Sequence, residues 1–282
     1  MTAALQYEFM RNALMAGLLI SVACGIVGTL IVVNRMVFIS GGIAHAAYGG
    51  IGLALYTGIP PLAGAALFSV TSALVMGFLS LRHRHRVDTI IGAVWAGGMA
   101  VGVILVDLTP GYGADLISYL FGSIVTVPTR DLWIMFVLDV VVIAGAGLFH
   151  RWLLAMSYDE EFAASRGIPV TALYFLLLIV ASLTVVMTIR AVGLILVIAL
   201  LTIPPFIAER WTSSLTAMMT VAALLSAGFS VIGLELSYTF NLTSGASIIL
   251  VAVVFMFGML AAESLVRRYT AGADMGEPQS NQ

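Results

Sequence analysis

Three ionisable residues lie inside long apolar stretches of this sequence. His45 lies among small residues in FISGGIAHAAYGGIGLALY, Asp139 lies in FVLDVVVIAG, and Glu235 lies in VIGLELSY. Ionisable side chains within apolar segments of membrane proteins are costly, and they commonly mark a substrate or ion pathway. Imidazole and carboxylate groups are also ligands for first-row divalent metals such as Zn²⁺ and Mn²⁺. These residue types therefore indicate metal-ion binding along a path through a membrane, with His45 as the first candidate ligand.

The three candidates differ in their expected depth. His45 is ten residues beyond Arg35, which is about 15 Å along a helix and half of a roughly 30 Å hydrocarbon core. There it either serves transport or forms a packing hydrogen bond with a neighbouring helix. Asp139 is also expected near mid-membrane, where it either faces the same passage as His45 or is neutral and hydrogen-bonded within the bundle, and we favour the second. Glu235 falls near the outer end of its helix, where it could line an entrance.

The composition requires a membrane setting for these residues. Hydrophobic residues make up 61% of the 282 positions and charged residues only 9%, against about 25% charged in ordinary globular proteins. We predict one membrane domain over residues 1–266 and a polar tail over 267–282. This leaves no room for a nucleotide-binding or soluble catalytic domain, so we expect no enzyme activity in this chain, and energy must come from another subunit or an ion gradient. The net charge of −2 gives no reason to expect a nucleic-acid partner.

The elements that must position the candidates are membrane-spanning helices. A span needs about 20 mainly apolar residues, and the breaks between such runs predict about nine spans, at 12–34, 37–57, 60–81, 89–108, 131–152, 170–189, 192–208, 215–235 and 244–265. The runs at 37–57 and 192–208 are the weakest, because the first is rich in glycine and the second contains Pro204 and Pro205. Residues 116–127 are too few to cross and suit a short re-entrant or interfacial helix.

The arginines predict the orientation of these spans, since the sequence contains no lysine. Cytoplasmic loops carry an excess of positive residues. If the N-terminus is outside, nine arginines fall on the cytoplasmic side, namely Arg35, Arg82, Arg84, Arg86, Arg151, Arg166, Arg210, Arg267 and Arg268. Only Arg11, Arg130 and Arg190 then fall outside. We therefore expect an external N-terminus.

A cytoplasmic connection, MSYDEEFAASRGIP at 156–169, differs from the other loops. Acidic residues at 159–161 favour the start of a short helix, and Arg166 with Gly167 favours its end. The segment is either a docking element for another protein or a plain surface loop.

In order and spacing these segments resemble the ABC-3 family of integral-membrane permease subunits, which serve ABC importers for zinc, manganese or iron. The resemblance extends over almost the whole chain. It rests on the segments at 9–54, 119–133 (YLFGSIVTVPTRDLW), 157–168 (SYDEEFAASRGI), 192–209 (VGLILVIALLTIPPFIAE) and 236–251 (LSYTFNLTSGASIILV).

The resemblance implies a fold like that of the type II, vitamin B12-type importer permease without its first helix, in a bacterial plasma (inner) membrane. It implies a homodimer around a central translocation path, an extracytoplasmic metal-binding protein, surrounding membrane lipid, and cytoplasmic ABC ATPase subunits that bind and hydrolyse ATP. No cofactor is implied for this chain, only a transported divalent metal. The cytoplasmic helix after the fifth span would contact the ATPase through Asp159, Glu161, Ala164, Arg166 and Gly167.

One position departs from the family pattern. Many members carry Asp four residues before the histidine as part of a metal site, whereas this sequence has Gly41 there. The resemblance therefore implies His45 as a metal ligand but supplies no acid beside it. Either another carboxylate completes the site, with Glu235 and Asp139 as candidates, or His45 acts with fewer ligands. A stand-alone secondary transporter or channel driven by an ion gradient is the alternative reading, with Asp139 as the coupling acid.

Overall fold

A computed structural model describes residues 6–109, 122 and 124–274 of the chain, and this part is built of helices and their connections without any strand. The helices, in chain order, are α1 (Glu8–Val33), α2 (Val37–Thr57), α3 (Pro61–Arg82), α4 (Val87–Asp107), α5 (Thr129–Leu148), α6 (His150–Tyr158), α7 (Glu160–Ser165), α8 (Val170–Val192), α9 (Leu194–Trp211), α10 (Leu215–Phe240) and α11 (Ser244–Asp274). Short 3₁₀ turns at Arg84–Arg86 and Ile124–Thr126 join some of them.

Local sequence explains several of these boundaries. The helix α2 ends where Gly58 adopts a left-handed conformation with φ of 77°, which glycine does without steric cost. The helix α3 begins with Pro61 at its first position, where proline loses no intrahelical hydrogen bond. The helix α10 begins after Ser214, whose hydroxyl accepts a hydrogen bond from the Ala217 amide. Turn and cap chemistry thus separates consecutive apolar runs into distinct helices.

Eight of the described helices are long and apolar enough to cross a membrane, namely α1, α2, α3, α4, α5, α8, α10 and α11. This confirms an all-helical integral membrane protein. The sequence predicted about nine spans, and the remaining one, at 192–208, corresponds to α9, an 18-residue helix that contains Pro204 and Pro205. The difference in number lies in this one helix.

The helix α9 nevertheless runs from one end of the bundle to the other. It begins beside Gly193, whose backbone lies against Gly122, and Glu209 near its end lines a cleft with Val33 and Ser157. Eighteen residues extend about 27 Å, close to the thickness of a hydrocarbon core. With α9 included, nine of the described helices traverse the bundle.

The two ends of the bundle are distinguished by hydrogen bonds between distant residues. At one end, Asn34 donates a hydrogen bond of 3.0 Å to the Ser157 hydroxyl. At the other end, Asn12 donates to the Thr129 hydroxyl at 3.3 Å and to the Val127 carbonyl at 3.4 Å. We call these the inner end and the outer end. The inner end is the one to which the arginine pattern assigns the cytoplasmic side.

The helices pack as two groups. The helices α2, α3 and α4 form one group, and α1, α5, α9, α10 and α11 form the other, in which α1 packs on α5, α9 and α10. The helix α8 packs on α2 and α3 on one side and on α1 and α9 on the other, and α9 also touches α2. Direct contact between α1 and α2 is slight, although only three residues separate them. Within that connection Arg35 has a φ of 57°, which is uncommon for a residue other than glycine.

Two predicted features fall largely outside the described residues. The re-entrant helix predicted at 116–127 is described only from residue 124, apart from Gly122, and there it is a 3₁₀ turn that packs against α1 and α8. The polar tail predicted from residue 267 begins within α11, which continues to Asp274, and residues 275–282 lie outside the described part.

Candidate functional site

His45 is the ninth residue of α2, about 12 Å along the helix from Val37. Its side chain is half-buried, whereas both neighbours, Ala44 and Ala46, are fully buried. The ring nitrogen Nδ1 is enclosed by protein and has no hydrogen-bond partner. The other ring nitrogen, Nε2, is not among the enclosed atoms that lack a hydrogen-bond partner. His45 thus lies near the middle of a span, with one nitrogen shut inside the protein.

The imidazole of His45 stacks on the indole of Trp95 from α4. The two ring centroids are 4.0 Å apart and the ring planes are inclined by 15°. Phe38, two helical turns before His45, contacts the same indole with a centroid distance of 6.2 Å. Trp95 therefore lies between two α2 side chains at the level of the candidate metal ligand.

Small residues hold α2 and α4 close together around this pair. A Cβ atom added at Gly98 would lie 2.9 Å from the Cα atom of Ala46, and one added at Gly52 would collide with the backbone of Gly102. Residues later in α2 contact residues later in α4, as Ala46 with Gly98 and Gly52 with Gly102, so the two helices run parallel. Glycine permits this close backbone approach between membrane helices. The backbone contacts fix the level of Trp95 relative to His45.

Asp139 does not share the environment of His45. It lies on α5, which packs on α1, α6 and α8, and its carboxyl group is placed against the backbone of Ala23 in α1. The side chain is 5% exposed and its Oδ2 atom has no hydrogen-bond partner. An isolated carboxylate is expensive to bury without a compensating charge. Asp139 thus lies inside the bundle, as the favoured expectation has it, and its neutral state stays a prediction.

Glu235 is exposed near the outer end of α10, a helix that packs on α1, α9 and α11. The structure therefore places His45, Asp139 and Glu235 on three different helices, namely α2, α5 and α10. No group of three or more His, Cys, Asp or Glu side chains able to hold a metal ion occurs in the described residues. Gly41, the position where the family more often has Asp, faces Ile198 of α9, which lies 3.3 Å from an added Cβ atom.

The cytoplasmic segment forms the short helix that its sequence predicted. The Asp159 carboxylate caps α7 by accepting a hydrogen bond of 2.8 Å from the Phe162 amide. Gly167 ends the turn with a φ of 79°, and the Ile168 amide donates to the Ala163 carbonyl. Asp at the cap position and glycine just beyond the end are the signals that such a helix requires.

One face of this segment is anchored and the other is exposed. Ala163 is fully buried, whereas the five residues predicted to contact another protein are all exposed, namely Asp159, Glu161, Ala164, Arg166 and Gly167. Tyr158 and Phe162 are also exposed, at 78% and 60%. An exposed aromatic and charged knob on a buried anchor is suited to docking into a groove of a partner.

Two pairings of residues at these sites could not be found from the sequence, His45 with Trp95 and Asn34 with Ser157. Trp95 lies 50 positions from His45, and no local pattern links them. Asn34 and Ser157 are 123 positions apart. The available signals were weak: one tryptophan in an otherwise small-residue run, GAVWAGGMAVG, and one asparagine immediately before Arg35.

Comparison with known proteins identifies relatives over most of the chain. The chain is 54% identical over 254 residues to an uncharacterised membrane protein of Synechocystis, with 90% of each chain covered. It is 33% identical over 253 residues to the manganese transport system membrane protein MntC of Listeria monocytogenes, again with 90% of each covered. Among solved structures, PsaBC from Streptococcus pneumoniae in complex with a Fab superposes with a TM-score of 0.82 at 29% identity, covering 91% of this chain and 92% of that one.

A family model agrees with these relatives and with the resemblance seen in the motifs. The model described as "ABC 3 transport family" matches residues 6–263, a range that includes the His45–Trp95 pair and the capped helix α7. The chain therefore belongs to the ABC 3 transport family.

Proposed function

We propose that this chain is the membrane-spanning permease subunit of an ATP-driven importer for divalent transition-metal ions. In this proposal the chain moves metal from an extracytoplasmic binding protein to the cytoplasm by alternating access. The observation that carries the proposal is the position of His45. This residue type can ligate metal ions, it lies near the middle of the span α2, and it packs on α4 in a chain that belongs to the ABC 3 transport family. The chain itself carries out no covalent chemistry.

The passage lies beside α2 and α4 and needs a second copy of the chain to close it. The α4 face near Trp95 is exposed in the single chain and is built of small residues such as Ala96, Gly97 and Ala100. Small residues are typical of the surfaces at which membrane helices associate closely. A homodimer that packs on this face would enclose His45 between the two copies.

Energy enters at the inner end through a separate ATPase subunit. The exposed knob around α7 is the docking element, with Asp159, Glu161, Ala164, Arg166 and Gly167 in contact with the ATPase. Closure of the ATPase pair displaces this knob, and the change shifts the permease between outward-open and inward-open states. No nucleotide needs to bind to the permease itself.

Manganese is the substrate that we propose first, with zinc and then iron as alternatives. Several relatives carry manganese transport in their names, including the Listeria MntC protein and the manganese import system permease protein ScaB of Streptococcus gordonii. Imidazole suits zinc and iron, whereas manganese prefers oxygen ligands such as carboxylate, carbonyl and water, so a manganese ion at His45 would also take oxygen ligands. A single histidine holds an ion weakly enough for release, which transport requires and a structural site does not.

Radioactive manganese uptake tests the proposal. Proteoliposomes with the permease, its ATPase and its binding protein should accumulate ⁵⁴Mn²⁺ only with ATP, and His45→Ala should abolish accumulation while the complex still co-purifies. Competition by Zn²⁺ and Fe²⁺ ranks the alternative substrates. Normal uptake by the His45→Ala complex would contradict the role given to His45.

The same preparation tests the gradient-driven alternative. Proteoliposomes with the permease alone, under a proton or sodium gradient, should show no metal flux. Flux without the ATPase would support a secondary transporter and would make Asp139 the first residue to examine.

A further inference from the structure

We infer that Trp95 is a positioning residue for metal transfer, which orients the imidazole of His45 by stacking so that Nε2 faces the passage. The inference rests on the proposed function for its transport consequence, but the stacking itself is a property of the chain. It adds to the site a residue that is neither ionisable nor a metal ligand.

The first argument comes from what usually orients a ligating histidine. In most metal sites the ring nitrogen away from the metal donates a hydrogen bond to a carboxylate or carbonyl, which fixes the plane of the ring. His45 has no such hydrogen bond, because Nδ1 is enclosed without a partner. The acidic neighbour of the family pattern is also absent, since position 41 is glycine. Something other than a hydrogen bond must therefore hold this ring.

The stack with Trp95 supplies that constraint. Centroids 4.0 Å apart and planes inclined by 15° place the two rings in face-to-face contact over most of the imidazole. A metal ion binds a histidine nitrogen in the plane of the ring, so a partner on the face of the ring leaves coordination free. Stacking fixes the plane, and enclosure of Nδ1 leaves Nε2 as the nitrogen that can reach a passing ion.

Trp95 is itself held firmly. The close contact of Gly98 with Ala46 fixes the α4 backbone one turn beyond Trp95 against the residue next to His45. The ring of Phe38 contacts the indole as well. Because the indole has a rigid backbone behind it and a second ring beside it, it can hold the imidazole in one orientation.

The stack also favours the loaded state over the empty one. An imidazole that binds a divalent ion acquires positive charge, and the face of an indole attracts a cation. Trp95 therefore stabilises metal-bound His45 without adding a ligand that would hinder release. The metal ion can then be bound at His45 without being held so tightly that its release is slow.

Transport kinetics give the first test. Replacing Trp95 by Leu removes the flat ring, and since an aromatic pair contributes about 0.5–1.5 kcal/mol, the KM for Mn²⁺ uptake should rise roughly two- to tenfold. Trp95→Phe keeps a flat ring and should restore most of the wild-type KM. Trp133→Leu, on the exposed face of α5, is the matched control and should leave the KM unchanged.

Fluorescence gives a second test that does not depend on transport. In the full chain with Trp133, Trp152 and Trp211 changed to Phe, Trp95 is the remaining tryptophan. Mn²⁺ is paramagnetic and quenches an indole in close proximity, so Mn²⁺ should quench the Trp95 emission saturably. The additional change His45→Ala should remove this saturable quenching.

The outcomes separate this inference from the proposed function. Normal KM in a well-folded Trp95→Leu complex, together with loss of uptake in His45→Ala, would overturn the inference and leave the proposed function standing. Quenching that is unaffected by His45→Ala would also overturn it. Saturable, His45-dependent quenching in a chain whose complex imports none of the three metals would support the orientation and contradict the proposed function. If Trp95→Leu fails to assemble, the quenching experiment still decides the matter, because it does not depend on that variant.

Discussion

The side-chain amide of Asn34, just after α1, donates a hydrogen bond of 3.0 Å to the hydroxyl of Ser157 in α6. Asn34 directly precedes Arg35 and the start of α2, the helix that carries His45, and Ser157 lies two residues before the cap of α7. A side-chain hydrogen bond therefore joins the segment next to the proposed docking knob to the connection that leads into the proposed metal helix, at the inner end of the bundle.

The change Ser157→Ala should weaken the transfer of motion from the docking knob to α2. A hydrogen bond contributes about 0.5–1.5 kcal/mol, so we expect uptake per ATP hydrolysed to fall roughly two- to tenfold. The ATPase should still co-purify, because Ser157 is not among the docking residues. The control is Ser264→Ala, which removes a hydroxyl bonded only within its own helix, to Ala261. Unchanged coupling in Ser157→Ala would show that the contact is only local packing.

Two substitutions of Asp159 distinguish its capping hydrogen bond at α7 from the charge of its carboxylate. Asp159→Ala removes the hydrogen bond to the Phe162 amide and should destabilise the helix by about 1 kcal/mol, which we expect to reduce co-purification of the ATPase. Asp159→Asn keeps an acceptor oxygen for the cap but removes the charge. Retention of the ATPase by the Asn variant and its loss in the Ala variant would assign the role to the cap. Loss in both would assign it to the carboxylate charge.

Gly97 and Gly98 of α4 provide a matched pair of sites for testing the contact between α2 and α4. Gly98→Ala should destabilise the chain by about 1–3 kcal/mol, because the new Cβ atom would meet Ala46. Gly97→Ala places a methyl group where nothing lies within 4 Å in the single chain and should leave the melting temperature of the monomer unchanged. Both changes improve helix propensity equally, so the difference between the melting temperatures in detergent measures the contact itself. Equal temperatures would argue against backbone contact at this level.

Asp139 should be dispensable for transport. Since it lies against α1 and away from His45, Asp139→Asn should leave Mn²⁺ uptake within about twofold of wild type, and relief of an unpaired buried carboxyl group should keep or raise the melting temperature. Uptake and thermal unfolding are measured on the same preparation. Loss of uptake in a stable Asp139→Asn complex would favour the gradient-coupled alternative.

An aspartate introduced at position 41 should strengthen metal binding at His45. Gly41→Asp would place a carboxylate one turn before His45 on the same side of α2, and Ile198→Val makes room for it, since Ile198 is the residue that an added Cβ atom would approach. In the chain with Trp95 as the only tryptophan, half-maximal quenching should then need less Mn²⁺. Gly41→Asn with Ile198→Val has nearly the same size without the charge. Equal quenching by the two variants would show that no carboxylate reaches the ion.

Local signals predicted the elements of this fold well. The depth of His45 followed from its distance to Arg35 along a helix, and the bounds of α7 followed from Asp159 and Gly167, which act on their immediate neighbours. The number of spans was less certain at α9, because Pro204 and Pro205 interrupt the pattern by which a span is identified.

Relations between helices could not be predicted in the same way. An apolar helix in a membrane protein has no polar face to show which side is inside, so the sequence did not show that Asp139 faces α1 whereas His45 faces α4. The choice of neighbours depends on where small residues let backbones meet, as at Gly98 and Ala46, and such residues occur throughout these spans. The partner of His45 was therefore visible only in three dimensions.

The division of the helices into two groups has a mechanical consequence. Among the described residues, α2, α3 and α4 touch the remaining helices mainly through α8 and α9 and only slightly through α1, so we expect that they can tilt as a group with repacking mainly at α8 and α9. The left-handed backbone at Arg35 lies in the short connection between α1 and α2, next to the hydrogen bond from Asn34 to Ser157, and we propose it as the pivot for such a tilt. If the proposed opening to either side of the membrane occurs by this tilt, His45 and Trp95 move together, and an ion bound there would meet the same ring geometry whichever way the cavity faces.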